Sequence, residues 1–308
     1  DGSRRATGAG DGTVRLWDVA TGAENLRLDD TGRTAALDVS DDGSLIATGG
    51  EDGTTILWRD RLPRVNGLGY DPQGRLFGCS PGGRCILRFD PDGASPAVVD
   101  RLDGKRLNTP NDLVIDIGGR IWFSNPWSQT ISDPNETREL DDGSVLRADP
   151  QADGSYAVRR MTFDTLRPNG VLLSADEKTL YVAESGFSPD NNRELRAYDI
   201  NEDGSLGAYD LLHTFGIDRH GVQRGVDGMC LDVDGNIVAC AGWDRAGPGA
   251  LIYVFSPRGR VVETQRVPVR QPTNCCFGGA DRRTLYVTSA DGHLVAAQTD
   301  RQGWHLYP

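Results

Sequence analysis

Five polar residues recur at corresponding places along the chain. Each lies at or beside the start of an apolar segment that leads into a turn rich in Asp and Gly: Asn66, Asn111, Asn169, Asp227 and Asn274. Amide and carboxylate oxygens are the ligands that hard cations such as Ca²⁺ prefer, and a carboxylate can also act as a base. Asn and Asp beside glycine are also typical of turns, because they tolerate unusual backbone angles. The chemistry therefore depends on whether the fold brings these side chains together.

The segments around these residues form a repeat with a period of about 45–60 residues. Each unit contains an apolar strand, a turn, a second strand and one or two more strands. The second strands are predicted at Arg75–Cys79, Arg120–Ser124, Thr179–Glu184, Asn236–Ala241 and Thr284–Ser289. Four short strands per unit, with no long stretch of helical periodicity, predict the blades of a β-propeller. The first strand of each blade lines the channel of a propeller, so the five polar side chains are expected to converge there.

The beginning of the chain follows the same logic with a different sequence. Thr13–Asp18 and Thr54–Trp58 each follow an Asp-Gly turn and resemble the third strands of WD-type blades. We predict an all-β, six-bladed β-propeller of four-stranded antiparallel blades, in which the N-terminal blade is atypical. Residues 1–60 are predicted to be WD-like segments that complete the propeller, and residues 61–308 its other blades, in one domain overall. Whether residues 1–33 belong to the propeller is left open.

The composition excludes some partners. The 308 residues include 45 acidic and 33 basic ones, which gives a formal net charge of -12. Nucleic acid and anionic membranes are therefore not expected as partners, because a polyanion would be repelled. No apolar run approaches the roughly 20 residues that a membrane helix needs. A soluble protein of the cytoplasm or the periplasm is the expectation, and the oligomeric state is not predicted.

The six cysteines show no spacing typical of a zinc site. Cys79 and Cys85 flank a Pro-Gly-Gly turn, so they either pair as a disulfide across a hairpin or remain buried free thiols. The other four lie in apolar strands and are predicted to belong to the core: Cys230, Cys240, Cys275 and Cys276.

Four motifs, in the right order, resemble the SMP-30/gluconolactonase family. They are Asn108–Val114 with Gly119–Phe123, Arg167–Gly170 with Lys178–Val182, Val226–Cys230, and Cys275–Gly279 with Thr284–Thr288. The resemblance covers roughly residues 62–300. It implies a six-bladed propeller with one catalytic divalent metal, Ca²⁺ or else Mg²⁺, Mn²⁺ or Zn²⁺. It also implies hydrolysis of a small-molecule lactone or a related ester.

The resemblance assigns the metal to Asn111, Asn169 and Asp227. Asp227 is also the candidate catalytic residue, either as the base that takes a proton from water or as a nucleophile. The chain departs from the family at one point, because Ala35 lies near the position where the family has a glutamate ligand. Further polar and aromatic residues near the motifs are candidates for substrate binding: Asn66, Arg106, Asn108, Trp127, His220 and Asn274.

Two other functions stay open. The WD-like beginning and the absent glutamate favour a non-catalytic propeller that serves as an interaction platform. A phosphotriesterase or another esterase could use the same metal site, since the loops that determine specificity do not reveal a substrate.

Overall fold

The computed structural model describes residues 65–128 and 136–305 in full, and the backbone of the strands between Arg4 and Arg59. The chain divides into two compact units, Asp1–Pro63 and Arg64–Pro308. The first unit contains two three-stranded antiparallel sheets, whose strands in order are β1 (Arg4–Gly8), β2 (Thr13–Asp18), β3 (Glu24–Asp29), and β4 (Thr34–Val39), β5 (Leu45–Gly50), β6 (Thr55–Arg59).

The second unit contains five antiparallel meander sheets, which are the blades of a propeller. Blade 1 consists of β7 (Leu68–Tyr70), β8 (Leu76–Ser80), β9 (Cys85–Phe89) and β10 (Ala97–Val99), followed by a hairpin of β11 (Arg101–Leu102) and β12 (Lys105–Arg106). Blade 2 consists of β13 (Leu113–Ile115), β14 (Ile121–Asn125), β15 (Ser144–Pro150) and β16 (Tyr156–Arg160). Blade 3 consists of β17 (Pro168–Leu173), β18 (Thr179–Ser185), β19 (Arg193–Ile200) and β20 (Leu206–Thr214), followed by a hairpin of β21 (Ile217–Asp218) and β22 (Gly221–Val222). Blade 4 consists of β23 (Val226–Leu231), β24 (Ile237–Ala241), β25 (Leu251–Phe255) and β26 (Val261–Arg266), and blade 5 of β27 (Pro272–Gly278), β28 (Thr284–Ser289) and β29 (Leu294–Gln298).

The all-β propeller is confirmed, but the prediction of six blades is wrong because the propeller has five. The sixth blade was predicted from the WD-like segments of residues 1–60, of which residues 34–60 would form a shortened blade. Their strands belong instead to a compact unit that ends at Pro63. A strand–turn repeat is a local pattern, so it identifies a blade-like sheet without revealing which ring that sheet joins. Within the propeller, blade 5 has three strands rather than the predicted four. The prediction of a single domain stays a prediction.

Apolar side chains fill each junction between consecutive blades. Four separate clusters join blade 1 to 2, 2 to 3, 3 to 4 and 4 to 5. The alternation of a β-strand produces this arrangement, because successive side chains point to opposite faces. In β24, Ile237 and Ala239 pack toward blade 3, whereas Val238 and Cys240 pack toward blade 5. The first strands of the blades consequently lie side by side in chain order.

Buried aspartates close the first turns of several blades. In blade 1 the Asp71 carboxylate accepts hydrogen bonds from the N–H groups of Gln73 and Arg75, at 3.0 and 2.8 Å. Asp232 does the same for Asp234 and Asn236 in blade 4, at 3.0 and 2.8 Å. These bonds stabilise the turns that follow the inner strands, because they satisfy backbone donors that would otherwise be unpaired.

No helix with the length and apolar character of a membrane span occurs in the described part of the chain.

Candidate functional site

The five recurrent polar residues all lie at the beginnings of inner strands. Asn66 lies two residues before the start of β7, and Asn111 lies two residues before the start of β13. Asn169, Asp227 and Asn274 are each among the first three residues of their strands, β17, β23 and β27. Glycine follows three of them, as Gly67, Gly170 and Gly228. The fold therefore places all five at the same end of neighbouring strands, which is the precondition for a shared site.

Asp227 lies in a largely buried position and is paired with a cation of the protein itself. Its side chain is 16% exposed, and its carboxylate accepts a hydrogen bond from the guanidinium of Arg224, which is 4% exposed. Arg224 is anchored across the next junction, since its Nη1 donates to the carbonyl of Pro272 at 2.7 Å. Burial raises the pKa of Asp227 above its ordinary value, although Arg224 and Asn169 oppose the shift.

Asn169 connects blade 3 to the Asp227 carboxylate in blade 4. Its side chain lies beside the Asp227 carboxylate, where it opposes the rise in the pKa of Asp227. The amide oxygen of Asn169, Oδ1, is buried and has no hydrogen-bond partner. A buried carbonyl oxygen without a partner is costly, so this atom points to a missing cation, water or hydroxyl.

Glycine allows the inner strands to approach closely enough for this contact. A Cβ atom on Gly170 would overlap the carbonyl oxygen of Asp227, and one on Gly228 would overlap the side chain of Asn274. Any larger residue would push the strands apart, because packed interiors leave no room for an added methyl group. Both glycines are thus required for the polar residues to converge.

Asn111 lies on the inner segment of blade 2. Its backbone is fully engaged: its N–H donates to Ser124 and its carbonyl accepts from Gly67, at 2.9 and 2.7 Å. Its half-buried side-chain amide makes no hydrogen bond within the described residues. The side-chain amide of Asn111 is therefore available to bind a ligand.

Asp112 is a site residue that the sequence analysis missed. It occupies the position that glycine holds after Asn66, Asn169 and Asp227. Its carboxylate is buried and accepts a hydrogen bond from the Val171 N–H at 3.3 Å. Burial, and secondarily the negative charge of Asp227, raises the pKa of Asp112 to about 7. The sequence did contain a signal for Asp112, because it is the one acidic residue at a position of the repeat that glycine otherwise recurrently occupies.

The remaining candidates for substrate binding occupy different surroundings. Asn66 is exposed, whereas the Asn274 side chain is half-buried and accepts a hydrogen bond from its neighbour Cys275 at 2.8 Å. His220 is exposed in the turn of the β21–β22 hairpin, where its Nε2 accepts a hydrogen bond from Arg219 at 2.9 Å. The structure therefore does not bring His220 into contact with Asp227.

Arg106 and Trp127 belong to a polar group on blades 1 and 2 that we call the arginine cluster, formed by Arg84, Arg106, Trp127 and Glu136. The two arginines grip the Glu136 carboxylate, with Nη1 of Arg106 at 2.6 Å and Nη1 of Arg84 at 3.2 Å. The Arg84 guanidinium lies 5.4 Å from the centre of the Trp127 ring. Arg84 was missed, because nothing in its local sequence distinguishes it from a surface arginine.

Unpaired polar atoms surround Asn108, next to the arginine cluster. The Asn108 side chain is fully buried and its nitrogen donates to the carbonyl of Asp142 at 3.2 Å. Several buried atoms here have no hydrogen-bond partner: Arg84 Nη2, Asn108 Oδ1, both amide atoms of Asn125, and Ser144 Oγ. Donors and acceptors are mixed, which suits hydroxyl groups or water better than an apolar ligand. Asn125 and Ser144 are further residues that the sequence analysis missed.

The donors at Asn169 and Asp227 fit a hard divalent cation. A buried amide oxygen without a partner lies beside a carboxylate, and both are ligands of the type that Ca²⁺ takes. Within the described ranges no three His, Cys, Asp or Glu side chains are grouped to hold a metal. Ala35, at the position of the missing glutamate, lies in β4, outside the residues whose side chains are described.

Comparison with known proteins shows two kinds of similarity. Residues 95–291 match the family described as the SMP-30/Gluconolactonase/LRE-like region, whereas residues 1–18 and 31–59 match the WD domain, G-beta repeat. The chain is 33% identical over 248 residues to Gluconolactonase of Zymomonas mobilis, an alignment that covers 79% of this chain and 65% of that protein. It is 31% identical over 180 residues to 6-deoxy-6-sulfogluconolactonase of Pseudomonas putida, which covers 58% of this chain and 53% of that protein.

Among solved structures, the chain resembles a gluconolactonase from Xanthomonas campestris. The TM-score is 0.63 at 29% identity, and the match covers 93% of this chain and 82% of that one. The chain spans less than two thirds of the length of the two curated relatives it matches.

Proposed function

Because the chain belongs to the SMP-30/gluconolactonase/LRE-like family, we propose that it is a hydrolase that opens a sugar lactone. The relatives from Zymomonas mobilis and Pseudomonas putida are both named for lactone hydrolysis. One observation supports a catalytic site in this chain above all others. The Asn169 side chain lies beside the Asp227 carboxylate, and its buried Oδ1 has no hydrogen-bond partner.

The proposed cofactor is one divalent cation, Ca²⁺ or else Mg²⁺, Mn²⁺ or Zn²⁺, held by Asn111, Asn169 and Asp227. When bound, such a cation supplies positive charge that polarises a carbonyl and stabilises an oxyanion. The residue roles differ: Asn111 and Asn169 offer neutral oxygens, and Asp227 contributes the negative charge. Because few protein ligands are offered, we expect weak binding of the cation.

Asp227 is the proposed base. Its carboxylate accepts a hydrogen bond from Arg224, which fixes the direction of one oxygen. It would accept a proton from the attacking water, whose oxygen then bonds to the lactone carbonyl carbon. Opening the ring breaks the bond to the ring oxygen, which takes up a proton to become the hydroxyl of the product acid. Burial favours this role, since it raises the pKa of the base toward neutrality.

The arginine cluster supports a polar, hydroxylated substrate. Trp127 is half-buried beside the Arg84 guanidinium, whose Nη2 has no hydrogen-bond partner, and further unpaired donors and acceptors surround Asn108. Sugars bind to such combinations of an aromatic face and convergent hydrogen-bonding groups. We therefore propose a lactone of a sugar acid rather than an apolar lactone.

The test is hydrolysis of a lactone panel by the purified protein, before and after EDTA treatment. The panel contains gluconolactone, 6-deoxy-6-sulfogluconolactone and an alkyl lactone that has no hydroxyl groups. We expect hydrolysis of the sugar lactones, loss of activity with EDTA, and recovery when one of the four cations is added. Hydrolysis that EDTA leaves unchanged would remove the metal from the proposal.

A second candidate, the non-catalytic interaction platform, is favoured by the Arg224–Asp227 ion pair. This pair neutralises the one carboxylate among the recurrent polar residues, so the site could be stable without any bound metal. Folded protein that binds none of the four cations in calorimetry and hydrolyses no lactone would support this function instead.

A further inference from the structure

Three cysteines meet at the junction between blades 4 and 5. Cys230 lies in β23, Cys240 in the adjacent β24, and Cys275 in β27, the inner strand of blade 5. The sulfur atoms of Cys230 and Cys275 are 3.8 Å apart. Cys240 and Cys275 are buried, whereas Cys230 is half-buried. All three thiols are free.

Cys275 is the thiol of the three that ionises most readily. Hydrogen bonding with the neighbouring thiols, of which the Cys230 sulfur is 3.8 Å away, lowers the pKa of Cys275 well below its ordinary value. As a thiol, Cys275 itself donates to the carbonyl of Val238 at 3.4 Å. Burial instead raises the pKa of Cys79 and of Cys85, the two cysteines of blade 1. The junction between blades 4 and 5 thus combines a candidate thiolate with a neighbouring thiol, as a reactive dithiol requires.

We propose that Cys230 and Cys275 are an oxidisable dithiol, which a peroxide converts into a disulfide between blades 4 and 5. The Cys275 thiolate attacks one oxygen of hydrogen peroxide, the O–O bond breaks, and the released hydroxide takes a proton to become water. Cys230 then attacks the sulfur of the Cys275 sulfenic acid, the S–O bond breaks, and a second water leaves with the Cys230 proton. Two thiols are oxidised and one peroxide is reduced, so no other reactant is needed.

The backbone favours this pair over the other combinations. β23 and β27 are neighbouring inner strands, and the two sulfurs must approach from 3.8 Å to the disulfide bond length of about 2 Å. Cys276, the next residue along β27, is exposed and its side chain points to the other face of the strand, although the sequence predicted it in the core. The new bond would link strands that carry Asp227 and Asn274, so oxidation would stiffen one wall of the candidate site.

The test treats the full chain with hydrogen peroxide, blocks the remaining thiols by alkylation, and maps the peptides by mass spectrometry. We expect a Cys230–Cys275 cross-linked peptide that lacks two hydrogen atoms and that dithiothreitol separates. Oxidation should also raise the midpoint of thermal unfolding, because a cross-link restricts the unfolded chain. Substitution of either cysteine, Cys230→Ala or Cys275→Ala, should abolish the cross-link.

Matched controls are Cys276→Ala, next to the pair, and Cys85→Ala, in the distant blade 1. Both variants should still form the cross-link to the parental extent. A cross-link that contains Cys240 or Cys276 would overturn the assignment of the pair. Irreversible oxidation of Cys275 in the folded parent protein, or no oxidation there under excess peroxide, would overturn the proposal itself. The parent protein gives these results even if the alanine variants fail to fold.

Discussion

The Asn169 side chain of blade 3 lies beside the carboxylate of Asp227 in blade 4, across the junction between two inner strands. The Oδ1 atom of the Asn169 amide is buried and has no hydrogen-bond partner. Substitution of the neutral Asn169 and substitution of the charged Asp227 should therefore have different effects on the same site. This difference separates the first two predictions.

Replacement of Asp227 by asparagine should abolish most of the lactone hydrolysis. Asp227→Asn keeps the shape and one coordinating oxygen but removes the charge and the basicity. We expect the rate to fall at least about a hundredfold, the low end of what a positioned base contributes. Rate measurement under saturating Ca²⁺ tests this, with Asp234→Asn in an exposed turn of the same blade as control. Parental activity in Asp227→Asn would show that Asp227 is not catalytic.

Loss of the Asn169 side chain should act mainly on metal affinity. Asn169→Ala removes the unpaired Oδ1 together with the rest of the side-chain amide that lies beside Asp227. Loss of residues that only orient metal ligands already weakens binding, so loss of a ligand should weaken it at least about tenfold. Calorimetric titration with Ca²⁺ measures this, and excess Ca²⁺ should restore part of the activity. Unchanged affinity in a folded variant would exclude Asn169 as a ligand.

Removal of Arg224 should strengthen the binding of an added cation. Arg224→Gln takes away the internal cation that now pairs with the Asp227 carboxylate. A buried carboxylate without a partner destabilises the fold, and an added Ca²⁺ can relieve that cost. We expect a lower unfolding midpoint without metal and a larger rise with Ca²⁺ than in the parent protein.

The matched control for that experiment is Arg270→Gln. Arg270 forms an exposed ion pair with Asp244 at 2.7 Å, with 70% of the Arg270 side chain exposed. Exposed pairs contribute little to stability, so this variant should behave like the parent. If Ca²⁺ stabilises Arg224→Gln no more than the parent, the cation does not bind at Asp227.

Gly170 should tolerate no side chain. In Gly170→Ala the added Cβ would overlap the backbone carbonyl of Asp227, so the two inner strands must move apart. We expect a loss of about 1–3 kcal/mol in the free energy of unfolding, typical of overpacking, together with weaker metal binding. Urea unfolding measures the loss. Gly216→Ala is the control, because nothing lies within 4 Å of a Cβ at Gly216.

Glu184 should make the stability depend on pH. Its carboxylate is buried and accepts hydrogen bonds from the N–H groups of Leu166 and Arg167, at 3.2 and 2.7 Å, in the segment that leads to Asn169. Burial raises the pKa of Glu184 above its ordinary value despite these bonds. The folded state therefore favours the protonated form. Its contribution to stability is present below the ordinary pKa and is lost as pH rises through the raised pKa.

Urea unfolding at several pH values from about 4 upward tests this, because the ordinary pKa of a glutamate lies near 4. The Glu184→Gln variant should have a flatter profile than the parent over this range. Glu263 offers the opposite sign, since hydrogen bonds from Gln265 and Arg301 lower its pKa. The ionised Glu263 contributes a small part of the free energy of unfolding, which is lost as pH falls through its lowered pKa. The Glu263→Gln variant should lack this contribution at every pH. Parallel profiles for the parent and Glu184→Gln would refute the assignment to Glu184.

Local features carried most of the correct predictions from the sequence. Strand alternation and Asp-Gly turns depend on neighbouring residues, and they predicted the blades between Leu68 and Gln298. The recurrence of Asn169 and Asp227 at one position of the repeat predicted that they would approach each other. Their roles as metal ligands stay predictions.

Features that depend on distant parts of the chain were missed. The blade count was wrong because the local sequence indicates that residues 34–60 form strands but does not reveal whether those strands belong to the propeller. Arg224 was overlooked although it lies three residues before Asp227, because only the folded inner strands show where its guanidinium points. Arg84 reaches Glu136 and Trp127 across a long stretch of sequence, and no spacing rule could have connected them.

The sharing of apolar clusters between consecutive blades has a consequence for how the propeller opens. Blades 2, 3 and 4 each contribute to two clusters, so none of them has a core of its own. Local unfolding of one such blade would expose half of each neighbour's core, which makes the opening cooperative across several sheets. Amide hydrogens of β18 and β24 should consequently exchange with solvent only in large collective openings. Those of β29, the outer strand of blade 5, should exchange through small ones.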